Sequence, residues 1–173
     1  ELPWVIIRPG TVCGYAPRLR MDLTVNLSTM SALTQHKIPV YGGLQKRCPI
    51  HIDDITDLYV RLAGESIKNI AGKTFNAAGD NYSVMDIALM VAEAVERLIS
   101  SNSPIGIEVR PTNDLRSYPV SCEKIKRELG WQPKHTIADA VASLIDAYSS
   151  GKIPNPDDPK YFNIKTMQLL NIR

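Results

Sequence analysis

The sequence has few cysteines, few aromatic residues and no excess of charge of either sign. Its three cysteines among 173 residues are widely spaced and form no CxxC motif, which argues against a disulfide framework. The 20 basic and 18 acidic residues nearly balance, which excludes a polycationic nucleic-acid arm and an acidic tail. No apolar run approaches the roughly 20 residues that cross a bilayer. No basic stretch leads into an apolar one as in a secretory signal. We therefore expect no membrane and no nucleic-acid partner, and a cytoplasmic location.

Several patterns typical of catalysis and cofactor binding are also missing. His36, His51 and His135 show neither HxxxH nor HxH spacing, so we predict no metal site. The sequence contains no GxGxxG, GxxxxGK[ST] or GxSxG motif. Tyr-xxx-Lys occurs twice, at 148–152 and 161–165. A glycine interrupts the first match and the second lies in a proline-rich stretch, so we interpret both as coincidental.

Short apolar runs alternate with helical patterns along most of the chain. We predict strands at 5–8, 38–41, 50–52, 73–79 and 105–109. We predict helices at 23–33, 53–62, 84–98, 123–129 and 137–148, followed by a proline-punctuated tail over 151–173. Strands that alternate with helices indicate an α/β fold in which some strands pair in parallel.

Capping patterns mark three of the predicted helix starts. Ser83 with Asp86 forms a capping box, and Thr136 is the expected cap of the last helix. Asp54, with Asp57 three residues later, is typical of a helix N-cap for the segment that begins near residue 53.

Three segments have the residue types that bind an anion. Arg8–Thr11 follows the first strand, at the strand end where α/β sheets bind ligands. The glycine-led segment Gly42–Arg47 ends in two cations, and an arginine can grip a phosphate with two hydrogen bonds. Arg110 and Arg116 follow the last predicted strand and suit a diphosphate. The alternative for each segment is an ordinary turn with solvated or paired surface charges.

Four segments together carry a family resemblance. RPGTVCG at 8–14 looks like an RPxxVYG motif, and residues 41–54 look like a YG…R…IHVDD motif. FNAA at 75–78 is similar to YNvg, and EKIKRELGWQP at 123–133 is very similar to KakreLGWkP. In this order and approximate spacing they resemble the C-terminal half of the extended short-chain dehydrogenase/reductases, the NAD-dependent nucleotide-sugar epimerases and dehydratases. The resemblance covers residues 5 to about 148.

The resemblance implies an enzyme that oxidises a sugar carbon with NAD, with NADP as an open alternative. The fold it implies is α/β: the last strands and helices of a Rossmann-like doubly wound sheet, with a small α/β substrate-binding subdomain. Segments 1–14 and 50–100 would complete the Rossmann half, and segments 15–49 and 101–150 would bind substrate. The family commonly dimerises through helices that precede this half, so a homodimer of the full-length enzyme is a further expectation.

The resemblance also assigns site residues. Pro9 and Gly10 match positions beside the nicotinamide end of the cofactor. For the nucleotide diphosphate-sugar, Thr11 matches a position that contacts the substrate, and Asp22 and Leu23 match positions near the nucleotide pocket. Val40 and Tyr41 match positions that flank the base. Arg47, together with Arg110 or Arg116, matches the arginines that bind the diphosphate.

Three departures from the family pattern leave the sugar and the nucleotide open. Thr11 stands where the family has Asn, and Cys48 stands where an acidic residue follows the loop arginine. The loop from Tyr41 to Arg47 is one residue shorter than usual.

The family's glycine-rich dinucleotide loop and catalytic Tyr-xxx-Lys would precede Val5. We therefore expect a fragment with no catalytic residue of its own, inactive alone. Two alternatives are a reductase of a non-sugar carbonyl, which needs no diphosphate clamp, and a binding module without catalysis.

Overall fold

The computed structural model describes residues 2–172 and confirms the α/β class. The strands within these residues are β1 (Val5–Pro9), β2 (Thr11–Cys13), β3 (Lys37–Tyr41), β4 (Lys46–Arg47), β5 (Pro49–His51), β6 (Lys73–Ala77), β7 (Tyr82–Ser83) and β8 (Gly106–Arg110). The α-helices are α1 (Thr24–Gln35), α2 (Ile52–Ala63), α3 (Ile67–Ile70), α4 (Val84–Leu98), α5 (Glu123–Leu129), α6 (Ile137–Ser149) and α7 (Asn163–Leu169). None of the helices found in residues 2–172 has the length and apolar character needed to cross a membrane.

The strands form four pairs. β1 pairs with β6, β2 with β5 and β3 with β8, and all three pairs are parallel. The predicted parallel pairing is therefore confirmed. The fourth pair, β4 with β7, is antiparallel and joins two strands of two residues each that the sequence did not predict.

The backbone changes its partner strand at Gly10. The Gly10 N–H donates to the Ala77 carbonyl at 2.8 Å, and the Thr11 N–H donates to the Cys48 carbonyl at 3.0 Å. A Cβ atom on Gly10 would lie 2.2 Å from the Cys48 oxygen and 2.8 Å from the Ala78 Cβ. Only glycine fits this close approach of three chain segments.

Two large apolar clusters and a smaller one make the core. The first joins β1, β5, α2, β6 and α5 through Ile50, Leu58, Phe75 and Ile125. The second joins α1, β3, α4 and α6. The smaller cluster includes Tyr161 of the tail. Helix α5 comes from the predicted substrate-binding segment 101–150 but packs in the first cluster, with elements of the predicted Rossmann segments. Helix α4 comes from the predicted Rossmann segment 50–100 but packs in the second cluster, with elements of the predicted substrate-binding segments.

Helix caps agree with the sequence at α4 and α6 and differ at α2. Ser83 and Thr136 each form a complete capping box. The N-cap of α2 is His51, whose side chain accepts from the Asp53 N–H at 3.1 Å, so the prediction of Asp54 as the cap was wrong. Asp54 lies inside the first helical turn, where its buried carboxylate binds another segment instead.

The tail has more regular structure than the prolines suggested. After α6, a 3-10 turn at Pro159–Tyr161 leads into α7, so α6 is not the last helix. The lysines of both Tyr-xxx-Lys matches lie over other rings. The Lys152 Nζ is 5.6 Å from the centroid of the Tyr15 ring, and the Lys165 Nζ is 3.9 Å from that of Phe162.

Ser83→Ala tests the capping box of α4. The substitution removes the hydroxyl that accepts from the Asp86 N–H at 3.0 Å, so the free energy of unfolding should fall by about 1 kcal/mol in urea titrations. Ser66→Ala is the matched control, because Ser66 occupies the N-cap of α3 without a side-chain cap bond. Equal losses for the two variants would contradict the assignment.

Candidate functional site

Pro9, Gly10 and Thr11 lie at the carboxyl end of β1 and the start of β2. Pro9 is exposed and pairs with Ala77, and Thr11 is partly buried and pairs with Pro49. The space that a Gly10 side chain would need is filled by protein backbone. At this edge Pro9 is exposed, and Gly10 has no side chain between its main chain and the neighbouring segments.

The predicted anion-binding arginines come from two segments that pack together. We call residues 41–47 the glycine segment and residues 110–118 the arginine segment. Tyr41 pairs with Arg110 in the β3–β8 register, and the Gly42 N–H donates to the Arg110 carbonyl at 2.8 Å. Farther along, the Lys46 N–H donates to the Ser117 Oγ at 2.9 Å.

The three arginines have different environments. The Arg47 side chain is only 11% exposed. Its Nη1 donates to the Arg116 carbonyl at 2.7 Å, and its guanidinium lies 4.5 Å from the centroid of the Tyr118 ring. Arg110 and Arg116 have side chains that are 40% and 78% exposed. Arg47 thus holds the two segments together, while the other two arginines face solvent.

Each exposed arginine already has a carboxylate partner. Arg110 forms a two-pronged pair with Glu108 at 3.0 and 2.9 Å, and Arg116 forms one with Asp114 at 2.7 Å for both bonds. The hydrogen bond from Arg116 holds the pKa of Asp114 well below its ordinary value, and the one from Arg110 lowers the pKa of Glu108. Solvent screens exposed pairs of this kind, so each contributes little to the stability of the fold.

A groove of about 510 Å³ lies between the glycine and arginine segments. Its lining includes Gly42, Gln45, Thr112 and the largely exposed Leu44 and Leu115. The lining combines these apolar side chains with the polar groups of Gln45, Thr112 and Ser117.

Three predicted site residues do not join this group. Asp22 pairs with Arg20 at 3.1 Å. Leu23 occupies the N-cap of α1. In the part of the chain from 2 to 172, no hydrogen bond or ion pair connects Asp22 or Leu23 to Arg47, Arg110 or Arg116. The Val40 side chain is 1% exposed and belongs to the core, so only its main chain can face a ligand.

A histidine pair that sequence reasoning missed joins the starts of α2 and α6. The rings of His51 and His135 stack with centroids 4.6 Å apart. The buried Asp54 carboxylate accepts from the Lys134 and His135 N–H groups, both at 3.0 Å, and lies 2.8 Å from the His135 Nδ1. No sequence spacing signals this contact, because Asp54 and His135 are 81 residues apart.

The two histidines have opposite pKa shifts. Burial lowers the pKa of His51, whereas the hydrogen bond with Asp54 raises the pKa of His135. Burial alone would raise the pKa of Asp54, but the hydrogen bonds from His135 and Lys134 bring it below its ordinary value. His51 is therefore neutral near pH 7. Its Nδ1 accepts from Asp53, which leaves the proton on Nε2.

His51, Asp53 and His135 place possible metal-ligand atoms within 4.8 Å of one another. The His51 Nδ1 accepts from the Asp53 N–H, and the His135 Nδ1 is bonded to Asp54. Within residues 2–172, the His51 Nε2 is buried and has no hydrogen-bond partner. A cavity of about 710 Å³ borders the pair and is also lined by Cys13, Cys122 and Trp131.

The stability of the chain should depend on pH through His135. A raised pKa means that His135 stabilises the fold below its unfolded pKa of about 6.5, and that this contribution is lost as the pH rises through the folded value. His135→Asn should therefore lower the free energy of unfolding more at pH 5.5 than at pH 8.5, measured in urea. The same substitution in an Asp54→Asn background is the control, and a pH dependence that persists there would contradict the role of the Asp54 carboxylate.

Known proteins resemble the chain over most of its length. No protein-family model matches it. The dTDP-glucose 4,6-dehydratase of Escherichia coli is 29% identical over 152 residues, which are 80% of this chain and 40% of the dehydratase. The UDP-glucose 4-epimerase of Corynebacterium glutamicum is 41% identical over 117 residues, which are 65% of this chain and 33% of the epimerase.

A solved structure is also similar to most of this chain. The UDP-glucuronic acid 4-epimerase of Bacillus cereus, in complex with UDP-glucuronic acid and NAD, aligns with a TM-score of 0.62 at 25% identity. The match covers 86% of this chain and 46% of that one. The chain therefore spans between a third and two fifths of the length of these curated relatives and about half of this structural neighbour.

Proposed function

The chain resembles the C-terminal half of the extended short-chain dehydrogenase/reductases, the NAD-dependent nucleotide-sugar epimerases and dehydratases, and we propose that it supplies the nucleotide-sugar-binding part of such an enzyme. The observation that carries this proposal is the packing of the glycine segment against the arginine segment. This packing brings the segment that ends in Arg47 against the segment that contains Arg110 and Arg116. Arg47 contacts the main chain of Arg116, which is 69 positions away in the sequence.

The proposed binding step is an exchange of ion pairs. A nucleotide diphosphate would take Arg110 from Glu108 and Arg116 from Asp114, and it would offer each guanidinium two phosphate oxygens in place of two carboxylate oxygens. Arg47 keeps its bonds to main-chain carbonyls and stays in place. The ring of the nucleotide would contact the apolar lip formed by Leu44 and Leu115.

The cofactor of this proposed enzyme would be bound mainly by residues that this sequence lacks. NAD accepts the hydride from the sugar in the enzymes of this family. Residues of this chain would hold and orient the substrate, and they include neither the glycine-rich loop nor the catalytic Tyr-xxx-Lys of the family.

We also propose a cytoplasmic location, a division of the chain into two sets of segments, and a homodimer of the full-length enzyme. The three free cysteines suit the reducing cytoplasm. The assignment of 1–14 and 50–100 to the Rossmann half, of 15–49 and 101–150 to substrate binding, and of a homodimer to the full-length enzyme rests on the family resemblance.

Binding of UDP tests the proposed site directly. We expect the chain to bind UDP in calorimetric titrations, with an affinity that falls as salt is added. Arg110→Met and Arg116→Met should each weaken binding at least tenfold, because each removes a charge-assisted contact. Arg127→Met is the matched control, since Arg127 is exposed on α5 and, among residues 2–172, forms an ion pair only with its neighbour Glu128. Unchanged affinity in both site variants would favour a non-sugar substrate or a binding module.

The chain alone should not turn over a nucleotide sugar. With UDP-glucose or dTDP-glucose and NAD, we expect no NADH and no altered sugar above a protein-free blank, measured by absorbance and chromatography. The physical reason is the lack of a catalytic base and a dinucleotide loop. Steady turnover by these 173 residues would overturn this part of the proposal.

A further inference from the structure

The amide of Gln45 lies between the two segments that carry the arginines. Gln45 is only 9% exposed, and its Nε2 donates to the Asp114 carbonyl at 2.8 Å and to the Tyr41 carbonyl at 3.3 Å. Its Oε1 accepts from the Gly43 N–H at 2.8 Å. One buried side chain thus bonds main-chain groups of both the glycine segment and the arginine segment.

The main chain of Gln45 is fixed to a long helix. The Gln45 carbonyl accepts from the Val84 N–H at 3.0 Å, and the Gly43 carbonyl accepts from the Met85 N–H at 2.9 Å. Both donors belong to the first turn of α4, whose N–H groups have no partner within the helix. The glycine segment is therefore anchored, and the Gln45 side chain reaches from this anchor to the arginine segment.

The glycine segment is shaped to enclose the amide. Gly42 has a φ of +79°, and a Cβ on it would lie 2.5 Å from the Gln45 Nε2 and 2.7 Å from the Thr112 Cγ2. Any side chain at Gly42 would displace the amide or the arginine segment.

The link through Gln45 differs from the charged links between the same segments. The side chain of Asp114 holds Arg116 and lies 3.8 Å from the Arg47 Nη2, and the proposed anionic ligand competes with Asp114 for Arg116. The Gln45 amide is neutral and buried, so neither salt nor a phosphate displaces it. It holds the Asp114 main chain when the arginines change partners.

We propose that Gln45 is a positioning residue that sets the spacing of Arg110 and Arg116 for the two phosphates of a nucleoside diphosphate. This inference rests on the proposed function. It predicts that loss of the Gln45 amide weakens the binding of a ligand that contacts both arginines much more than the binding of a ligand that contacts one.

Gln45→Met tests the proposal with two probes, UDP and UMP. Methionine has nearly the same length but neither donates nor accepts as the amide does, so the segments lose their buried link. Calorimetry should show UDP affinity reduced at least tenfold and UMP affinity changed less than threefold. Gln35→Met, at the exposed end of α1, is the matched control and should bind both nucleotides as the parent chain does.

Other binding results would contradict either the positioning role of Gln45 or the proposed function. Unchanged UDP affinity in Gln45→Met, or an equal loss for UDP and UMP, would overturn the positioning role while leaving the proposed function intact. If the parent chain binds neither nucleotide, the proposed function fails and the inference fails with it. Should Gln45→Met not fold, Gly42→Ala displaces the same amide by steric contact and should show the same selective loss of UDP binding.

Discussion

The exchange of strand partners at Gly10 is the constraint on which the rest of the structure depends. The Gly10 N–H bonds the Ala77 carbonyl, and the next N–H, that of Thr11, bonds the Cys48 carbonyl. At Gly10 the main chain lies too close to Cys48 and Ala78 to leave room for a side chain. The Gly79 N–H makes a similar contact with the Pro49 carbonyl at 2.9 Å from the other side. Three segments distant in sequence are held at one point, and Arg47 immediately precedes the middle one.

From that point, main-chain contacts decide where the cations lie. The glycine segment continues from β3 to β5 and is fixed to the start of α4, and the arginine segment follows β8. Arg47 donates to the main-chain carbonyls of Lys46 and Arg116, whereas the side chains of Arg110 and Arg116 are bonded to carboxylates. The proposed ligand would therefore meet Arg110 and Arg116, whose carboxylate partners are screened by solvent, while the largely buried Arg47 keeps the segments together.

Local signals in the sequence predicted most of the elements. Ser83 with Asp86 and Thr136 with Asp139 mark helix starts by short-range chemistry, and both capping boxes form. The same logic failed at Asp54, because a buried carboxylate can bond a distant backbone segment as well as its own helix, and spacing does not distinguish the two. The stacked histidines, the short β4–β7 pair and the role of Gln45 all arise from contacts between remote segments. The family resemblance named the arginines, but their separation into one structural and two exposed residues needed the packing.

The most direct test of this account is amide hydrogen exchange of the chain with and without saturating UDP. The account predicts slower exchange in the glycine and arginine segments, which line the proposed site, and little change in the segment 131–137 beside the histidine pair. Protection confined to the cavity near His51 and His135, or no protection anywhere, would contradict a nucleotide-diphosphate site between the two segments.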